Sequence, residues 1–64
     1  MLANETEIPQ WAKWAACDAN GAWWAFEAEP HLSSQSWYEN EVGRFMKINI
    51  RNPTEHWQLS LRKL

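Results

Sequence analysis

Residues 14–26 have the sequence WAACDANGAWWAF, in which small and aromatic side chains lie on both sides of Asp18-Ala19-Asn20-Gly21. Asp is preferred at the first position of a type I turn, and Gly supplies the left-handed residue that follows it in a three-residue hairpin loop. The stretch therefore predicts a β-hairpin. Its register should place Asp18 opposite Ala22 and Trp14 opposite Phe26.

This register separates the side chains into two faces, because residues two apart along a strand share a face. One face is apolar, and the opposite face carries Lys13 across from Glu27, an attractive cross-strand pair. A helix over residues 11–17, favoured by alanine, is the alternative, which the β-prone Trp-Trp-Ala-Phe strand argues against. We expect the core to form on the apolar face, whose members are Ala12, Trp14, Ala16, Trp24, Phe26 and Ala28.

A second hairpin is predicted over residues 37–50, after Pro30 ends the preceding strand because it lacks an N–H donor. Its turn would be Asn40-Glu41-Val42-Gly43. The register then places Tyr38 opposite Met46 and Trp37 opposite Lys47, and directs Met46, Ile48 and Ile50 to the core. A long loop over residues 37–41 is the alternative.

The C-terminal segment has the features of a helix start, with Asn52 as N-cap, Pro53 at the first helical position and Glu55 in the first turn. Trp57, Leu61 and Leu64 follow at helical spacing. A strand that uses Trp57, Leu59 and Leu61 in alternation competes with this helix. We favour the helix.

The expected fold is therefore α+β and β-rich. It consists of a small antiparallel sheet of three to four strands, built from two hairpins, with a short C-terminal helix. Residues 1–7 are expected to form a flexible tail, and residues 8–64 a single domain.

Composition limits the class of protein. A chain of 64 residues buries only about 60% of its unfolded surface. Cys17 is the only cysteine, which excludes an internal disulfide. Six tryptophans, which can each bury roughly 200 Å², could supply the apolar surface that a core of this size needs. No run approaches the ~20 apolar residues of a membrane span, and residues 1–10 carry acids but no basic residue, unlike a signal peptide. We expect a cytosolic protein with no membrane association.

Charge is unevenly distributed along the chain. The segment 18–41 contains no Lys or Arg, and its five acids are Asp18, Glu27, Glu29, Glu39 and Glu41. From residue 42 onward basic residues outnumber acidic ones. The one acid is Glu55, and the five basic residues are Arg44, Lys47, Arg51, Arg62 and Lys63. This pattern indicates an acidic middle and a basic end. Charges that lie on solvated faces and pair with one another are the alternative.

Four short stretches together resemble small Trp-rich proteins of tailed bacteriophages and prophages. They are a Trp-containing strand at residues 8–14, the Asp-x-x-Gly turn at 18–21, an aromatic strand at 23–27 that ends before Pro30, and the terminal Trp-x-x-Ser-Leu at 57–61. The resemblance implies a phage product in the host bacterial cytoplasm, a class that often inhibits or redirects host proteins. It implies no reaction, cofactor or catalytic residue.

The residues that could carry catalysis do not form a recognisable pattern. Nothing in their spacing brings Cys17 to His31 or His56, as an activated thiolate would require. The same residues with Asp18 lack the paired-ligand spacing of a zinc site. Gly21 and Gly43 are explained by turns, not by a phosphate-binding loop. We expect no enzyme, no cofactor and no metal.

Binding is the function that the sequence favours. Trp23 should point away from the core face, and an exposed aromatic edged by acids is typical of an interaction hot spot. Trp23 completing a second small core is the alternative. The predicted partner is a host protein with a basic surface, inhibited or modulated by this chain. The predicted partner-binding residues are Trp23, Glu27, Glu29, Trp37, Glu39 and Glu41.

Two other functions stay open. The first is a self-associating structural or accessory phage module whose Trp-bearing face forms a homodimer. The second is nucleic-acid binding through Arg44, Lys47 and Arg51, with bases stacked on the aromatic rings. The acidic net charge of −2 disfavours direct nucleic-acid binding, because phosphate neutralisation supplies much of such affinity.

Overall fold

The computed structural model describes residues 8–39 and 43–64. The predicted tail, residues 1–7, and three of the four residues of the predicted second turn, 40–42, lie outside the described residues. The elements are β1 (Trp14–Cys17), β2 (Ala22–Phe26), β3 (His31–Leu32), β4 (Trp37–Tyr38), β5 (Phe45–Ile50), a 3-10 turn (Trp57–Leu59) and β6 (Arg62–Lys63).

The strands form two antiparallel sheets. A four-stranded sheet has the order β5-β2-β1-β6, and β3 pairs with β4 in a separate two-stranded ribbon, called here the β3–β4 ribbon. The expectation of a small, strand-rich fold with an antiparallel sheet of up to four strands is confirmed.

The central hairpin has the predicted register. Trp14 pairs with Phe26 and Cys17 with Trp23, and the Asp18 N–H donates to the Ala22 carbonyl at 2.8 Å. The Gly21 N–H closes the turn on the Asp18 carbonyl at 3.0 Å. Gly21 has a φ of 91°, in the left-handed region that side chains disfavour. A Cβ atom there would also clash with the carbonyl oxygen of Arg51.

The second predicted hairpin is wrong. Trp37 and Tyr38 pair with Leu32 and His31, and β5 pairs with β2. The physical reason is that β5 forms five residue pairs along the free edge of β2, whereas β4 has only two residues. Pairing with β5 therefore satisfies more backbone groups of the central hairpin than a local hairpin would.

A β-bulge alters which side chains of β5 face inward. Trp23 pairs with Asn49 but Trp24 pairs with Lys47, so the register shifts by one residue around Ile48. Ile48 is 6% exposed, as predicted for a core residue, but Met46 and Ile50 are 38% and 62% exposed. A bulge interrupts the alternation of faces, so a strict two-residue period carried across it assigned Ile50 incorrectly. Met46 pairs with Ala25 before the bulge, and its predicted burial is also wrong.

The predicted C-terminal helix is not confirmed. Residues 57–59 form a single 3-10 turn, and Arg62 and Lys63 pair with Ala15 and Trp14 of β1. The Leu64 N–H extends this pairing by donating to the Lys13 carbonyl at 2.9 Å. The segment becomes a strand because the outer edge of β1 would otherwise leave its N–H and C=O groups without partners.

Small side chains occupy the centre of the four-stranded sheet. The predicted core face is correct in part, since Ala16 and Phe26 are buried but Trp14 and Trp24 are only half-buried. The opposite face also contributes buried side chains. The buried apolar residues are Ala15, Ala16, Cys17, Ala22, Ala25, Phe26, Ile48 and Trp57. The core therefore lies on both faces of the sheet.

The two outer strands of this sheet are protected from further pairing. The Ile50 N–H on β5 donates to Asn49 Oδ1 at 2.8 Å, next to the bulge. On the other edge, β6 has only two residues, and both are basic. Bulges, short strands and charged side chains are common means of preventing edge-to-edge aggregation.

Replacement of Gly21 tests the turn. We expect Gly21→Ala to destabilise the protein by more than the ~1–3 kcal/mol typical of a strained backbone position, because the added methyl group also meets the Arg51 carbonyl. A domain of 64 residues has a total stability of only roughly 3–10 kcal/mol, so the midpoint of urea unfolding should fall strongly.

Gly43→Ala is the matched comparison. Its added Cβ would lie 3.1 Å from the Ala28 Cβ without a left-handed backbone, so its urea midpoint should fall less. Equal midpoints for the two variants would contradict the role assigned to the Gly21 conformation.

Candidate binding site between the β3–β4 ribbon and the sheet

The β3–β4 ribbon is held against the sheet through Trp37. Its backbone N–H donates to Asp18 Oδ1 at 2.8 Å, and its indole Nε1–H donates to the Trp57 carbonyl at 3.2 Å. A third bond, from the Ala19 N–H to the Gln35 carbonyl at 3.1 Å, fixes the loop between β3 and β4. The hairpin turn and the 3-10 turn therefore position the ribbon together.

Ser60 joins the 3-10 turn to the central hairpin. Its hydroxyl oxygen accepts the Cys17 backbone N–H at 2.8 Å, and its O–H donates to the Trp57 carbonyl at 2.6 Å. Cys17 is buried, so this N–H could not turn to solvent instead. Ser60 thus explains the Trp-x-x-Ser spacing, because a serine three residues after Trp57 reaches both groups.

A cavity of about 180 Å³, called here the ribbon cavity, lies between the ribbon and the sheet. Five of its eight lining side chains are aromatic, two are acidic and none is basic. The lining residues are Asp18, Trp24, Phe26, Ser36, Trp37, Tyr38, Glu39 and Phe45.

The aromatic wall of the ribbon cavity is centred on Phe45. Its ring lies 5.9 Å from the Trp24 ring and 6.5 Å from the Phe26 ring, and the latter pair is stacked at 28°. Phe45 and Tyr38 are 56% and 44% exposed, so the wall is open to solvent. Trp24 Nε1 is buried and has no hydrogen-bond partner among the described residues.

The structure separates the six residues predicted to bind a partner. Trp37 and Glu39 line the ribbon cavity, whereas Glu29 is exposed and is not part of that lining. Glu41 lies outside the described residues. Sequence reasoning missed Tyr38 and Phe45 as site residues, and gave Asp18 no role there, because their convergence depends on the unpredicted β3–β4 and β2–β5 pairings.

Trp23 lies on the opposite face, as predicted, but its surroundings differ from the expected acidic ones. The guanidinium carbon of Arg62 is 5.2 Å from the centre of its ring, a cation–π contact. Trp23 is half-buried in a groove of about 360 Å³, called here the opposite groove. Its lining residues are Ile8, Ala15, Trp23, Ile48, Asn49, Arg51, Arg62 and Leu64.

Glu27 forms a bidentate ion pair with Arg44 rather than a close pair with Lys13. Arg44 Nε and Nη2 donate to its two carboxylate oxygens at 3.1 and 3.0 Å, and the Arg44 backbone N–H adds a third bond at 3.0 Å. These hydrogen bonds lower the pKa of Glu27 to about 2, with a smaller effect from the charges of Arg44 and Lys13. Arg44 also lies over the Trp11 ring at 5.1 Å.

The acid stability of the protein should reflect this pair. The pKa of Glu27 is about 2 in the folded state against an ordinary 4.5, so its stabilising effect is present above pH ~4.5 and is lost as pH falls toward 2. We expect the thermal midpoint of Glu27→Gln to depend less on pH in this window than that of the wild type.

NMR titration of the side-chain carboxyl carbons checks the assignment directly. Glu27 should titrate near pH 2 in the wild type and closer to its ordinary value in Arg44→Ala. A Glu27 midpoint near 4.5 in the wild type would contradict the bidentate pair.

The residues considered for catalysis have different surroundings in the structure. Burial, and then the charge of Asp18, raises the pKa of the Cys17 thiol, which donates to the Asp18 carbonyl at 3.3 Å. Such a thiol is disfavoured as a nucleophile. His31 packs against Tyr38 at 5.7 Å between ring centres, and His56 is exposed before the 3-10 turn.

Within residues 8–39 and 43–64, no three His, Cys, Asp or Glu side chains are grouped so that they could hold a metal ion. In that same part of the chain, no helix is long and apolar enough to cross a membrane.

Comparison with known proteins gave no match to a protein-family model, to a curated protein or to a solved structure.

Substitution of Ser60 tests the link that positions the site. We expect Ser60→Ala to lower stability by about 1–3 kcal/mol, because it leaves the buried Cys17 N–H without an acceptor. Urea denaturation monitored by tryptophan fluorescence would measure the change. Ser34→Ala, at an exposed position of the β3–β4 loop, should leave the midpoint near that of the wild type, and a similar loss in both variants would contradict the role of Ser60.

Proposed function

We propose that this chain is a small, non-enzymatic binding protein of a tailed phage or prophage, and that it inhibits or modulates a host protein in the bacterial cytoplasm. The resemblance of its short motifs to small Trp-rich phage proteins supports the origin. The observation that carries the binding role is that Trp37 and Glu39 line one cavity with Asp18 and Tyr38.

The composition of the ribbon cavity suits protein recognition. Aromatic side chains provide large, stiff contact areas and dominate interface hot spots. Two carboxylates beside them favour a partner with a basic surface, because complementary charge speeds and orients docking. Tyr38 and Phe45, each exposed by more than 40%, give such a partner access to the aromatic wall.

Self-association is the second candidate, and the opposite groove supports it. Ile8 and Leu64 on its lining are 48% and 49% exposed. A symmetric dimer would cover these apolar side chains and Trp23.

We place nucleic-acid binding third. Three of the six Lys and Arg side chains lie over tryptophan rings of this chain, namely Arg44, Arg62 and Lys63. They are spread around the sheet rather than arranged along one groove that could follow a phosphate backbone.

Capture from a bacterial host lysate tests the proposal. The tagged wild type should retain one host protein at a stoichiometric level. Glu39→Gln, which removes one cavity charge with little change of shape, should lose most of that capture. Glu55→Gln makes the same charge change at an exposed site outside the cavity lining and should retain it.

Circular dichroism of each variant would verify that the fold is kept. Equal capture by all three proteins would contradict a role for the ribbon cavity. Absence of any captured protein, together with a stable dimer in sedimentation of the wild type, would support self-association instead.

A further inference from the structure

We propose that the ribbon cavity is a receptor for an arginine side chain of the partner protein. This inference depends on the proposed function and names the chemical group that the site recognises. It follows from the charge of the lining, the arrangement of its aromatic rings and the contacts that arginine already makes elsewhere in the chain.

The charge of the cavity is not neutralised by a basic residue of its own lining. Asp18 and Glu39 are its two charged members, and residues 1–7 and 40–42 contain no Lys or Arg. Lys47 is the strand partner of Trp24, but it is exposed and is not part of the lining. A cation that enters the cavity therefore meets an acidic lining.

The rings of the cavity can bind the same cation on their faces. A cation within about 6 Å of a ring centre is attracted to its π-system, most strongly for Trp. The chain uses this contact at Trp11 and at Trp23, each covered by an arginine at 5.1 and 5.2 Å. Trp24, Trp37 and Tyr38 line the ribbon cavity together with Asp18 and Glu39.

The chemistry of the lining and the volume of the cavity favour arginine over lysine. A guanidinium is planar, stacks on aromatic rings and donates several N–H groups to carboxylates in a fixed plane, whereas an ammonium is a compact, strongly hydrated charge. The cavity volume of about 180 Å³ is far above the ~10–15 Å³ that one water needs. It therefore has room for a guanidinium and the end of its alkyl stem.

Asp18 has a further property that suits this role. Its Oδ1 accepts the Trp37 N–H at 2.8 Å, and no hydrogen bond within the described part of the chain occupies its Oδ2. The carboxylate is thus oriented by the ribbon while its second oxygen can accept from an incoming guanidinium.

The test is an NMR titration of the ¹⁵N-labelled full chain with Nα-acetyl-arginine-N-methylamide. The arginine probe should shift the indole signals of Trp24 and Trp37 in a saturable manner and leave that of Trp23 unchanged. The citrulline analogue has the same shape without charge and should bind at least about fivefold more weakly, as the loss of a cation–π contact and a charged hydrogen bond implies. The lysine analogue should also bind more weakly.

Variants separate the cavity from general attraction to an acidic protein. Glu39→Gln should weaken arginine binding about fivefold or more, and Glu55→Gln should not change it. Equal binding of arginine and citrulline, stronger binding of lysine than of arginine, or shifts confined to Trp23 would overturn the inference.

The two proposals can fail separately. Glu39-dependent capture of a host protein without a response to the arginine probe would overturn this inference and leave the proposed function standing. A cavity response to arginine with no host protein captured would support the arginine site and contradict the proposed function.

Discussion

The hydroxyl of Ser60 completes the hydrogen bonding of β1 where β6 no longer reaches it. β6 pairs with Trp14 and Ala15, and two residues further along β1 the Cys17 N–H donates to Ser60 Oγ. The same hydroxyl donates to the Trp57 carbonyl, which also accepts the Trp37 indole N–H. One side chain therefore links the central hairpin, the C-terminal segment and the ribbon, and in a 64-residue chain such a link has a large effect on a small total stability.

Alanine fills the centre of the sheet on both faces. Ala15, Ala16 and Ala25 are at most 3% exposed. Ala16 pairs with Trp24, which lines the ribbon cavity, whereas Ala15 lines the opposite groove. Trp14 and Trp24 are only half-buried. A larger residue at these central positions would overpack the core.

The central hairpin could be predicted from local signals in the sequence. The other strand pairings join segments that are distant in sequence, and they could not be predicted in this way. The turn at Asp18 to Gly21 fixes a register by itself, since its hydrogen bonds span only a few residues. Which strand covers the outer edges of β1 and β2 depends on the free edges available in the folded molecule, so the capping signal at Asn52 and Pro53 was overridden. Trp37 and Glu39 could be proposed as binding residues from composition. Their convergence with Asp18 and Phe45 on one cavity depends on the β3–β4 and β2–β5 pairings, which the sequence did not predict.

The alternation of side chains along β6 places a basic residue of this chain over a tryptophan ring on each face of the sheet. Because neighbouring residues on a strand point to opposite faces, Arg62 lies over Trp23 on one face and Lys63 lies 5.9 Å from the centre of the Trp14 ring on the other. The basic end of the chain is therefore used to cover the aromatic rings near β6, on both sides of the sheet. The rings beside β5 and the ribbon instead share their cavity with Asp18 and Glu39, which is why the proposed arginine site lies there and not beside β6.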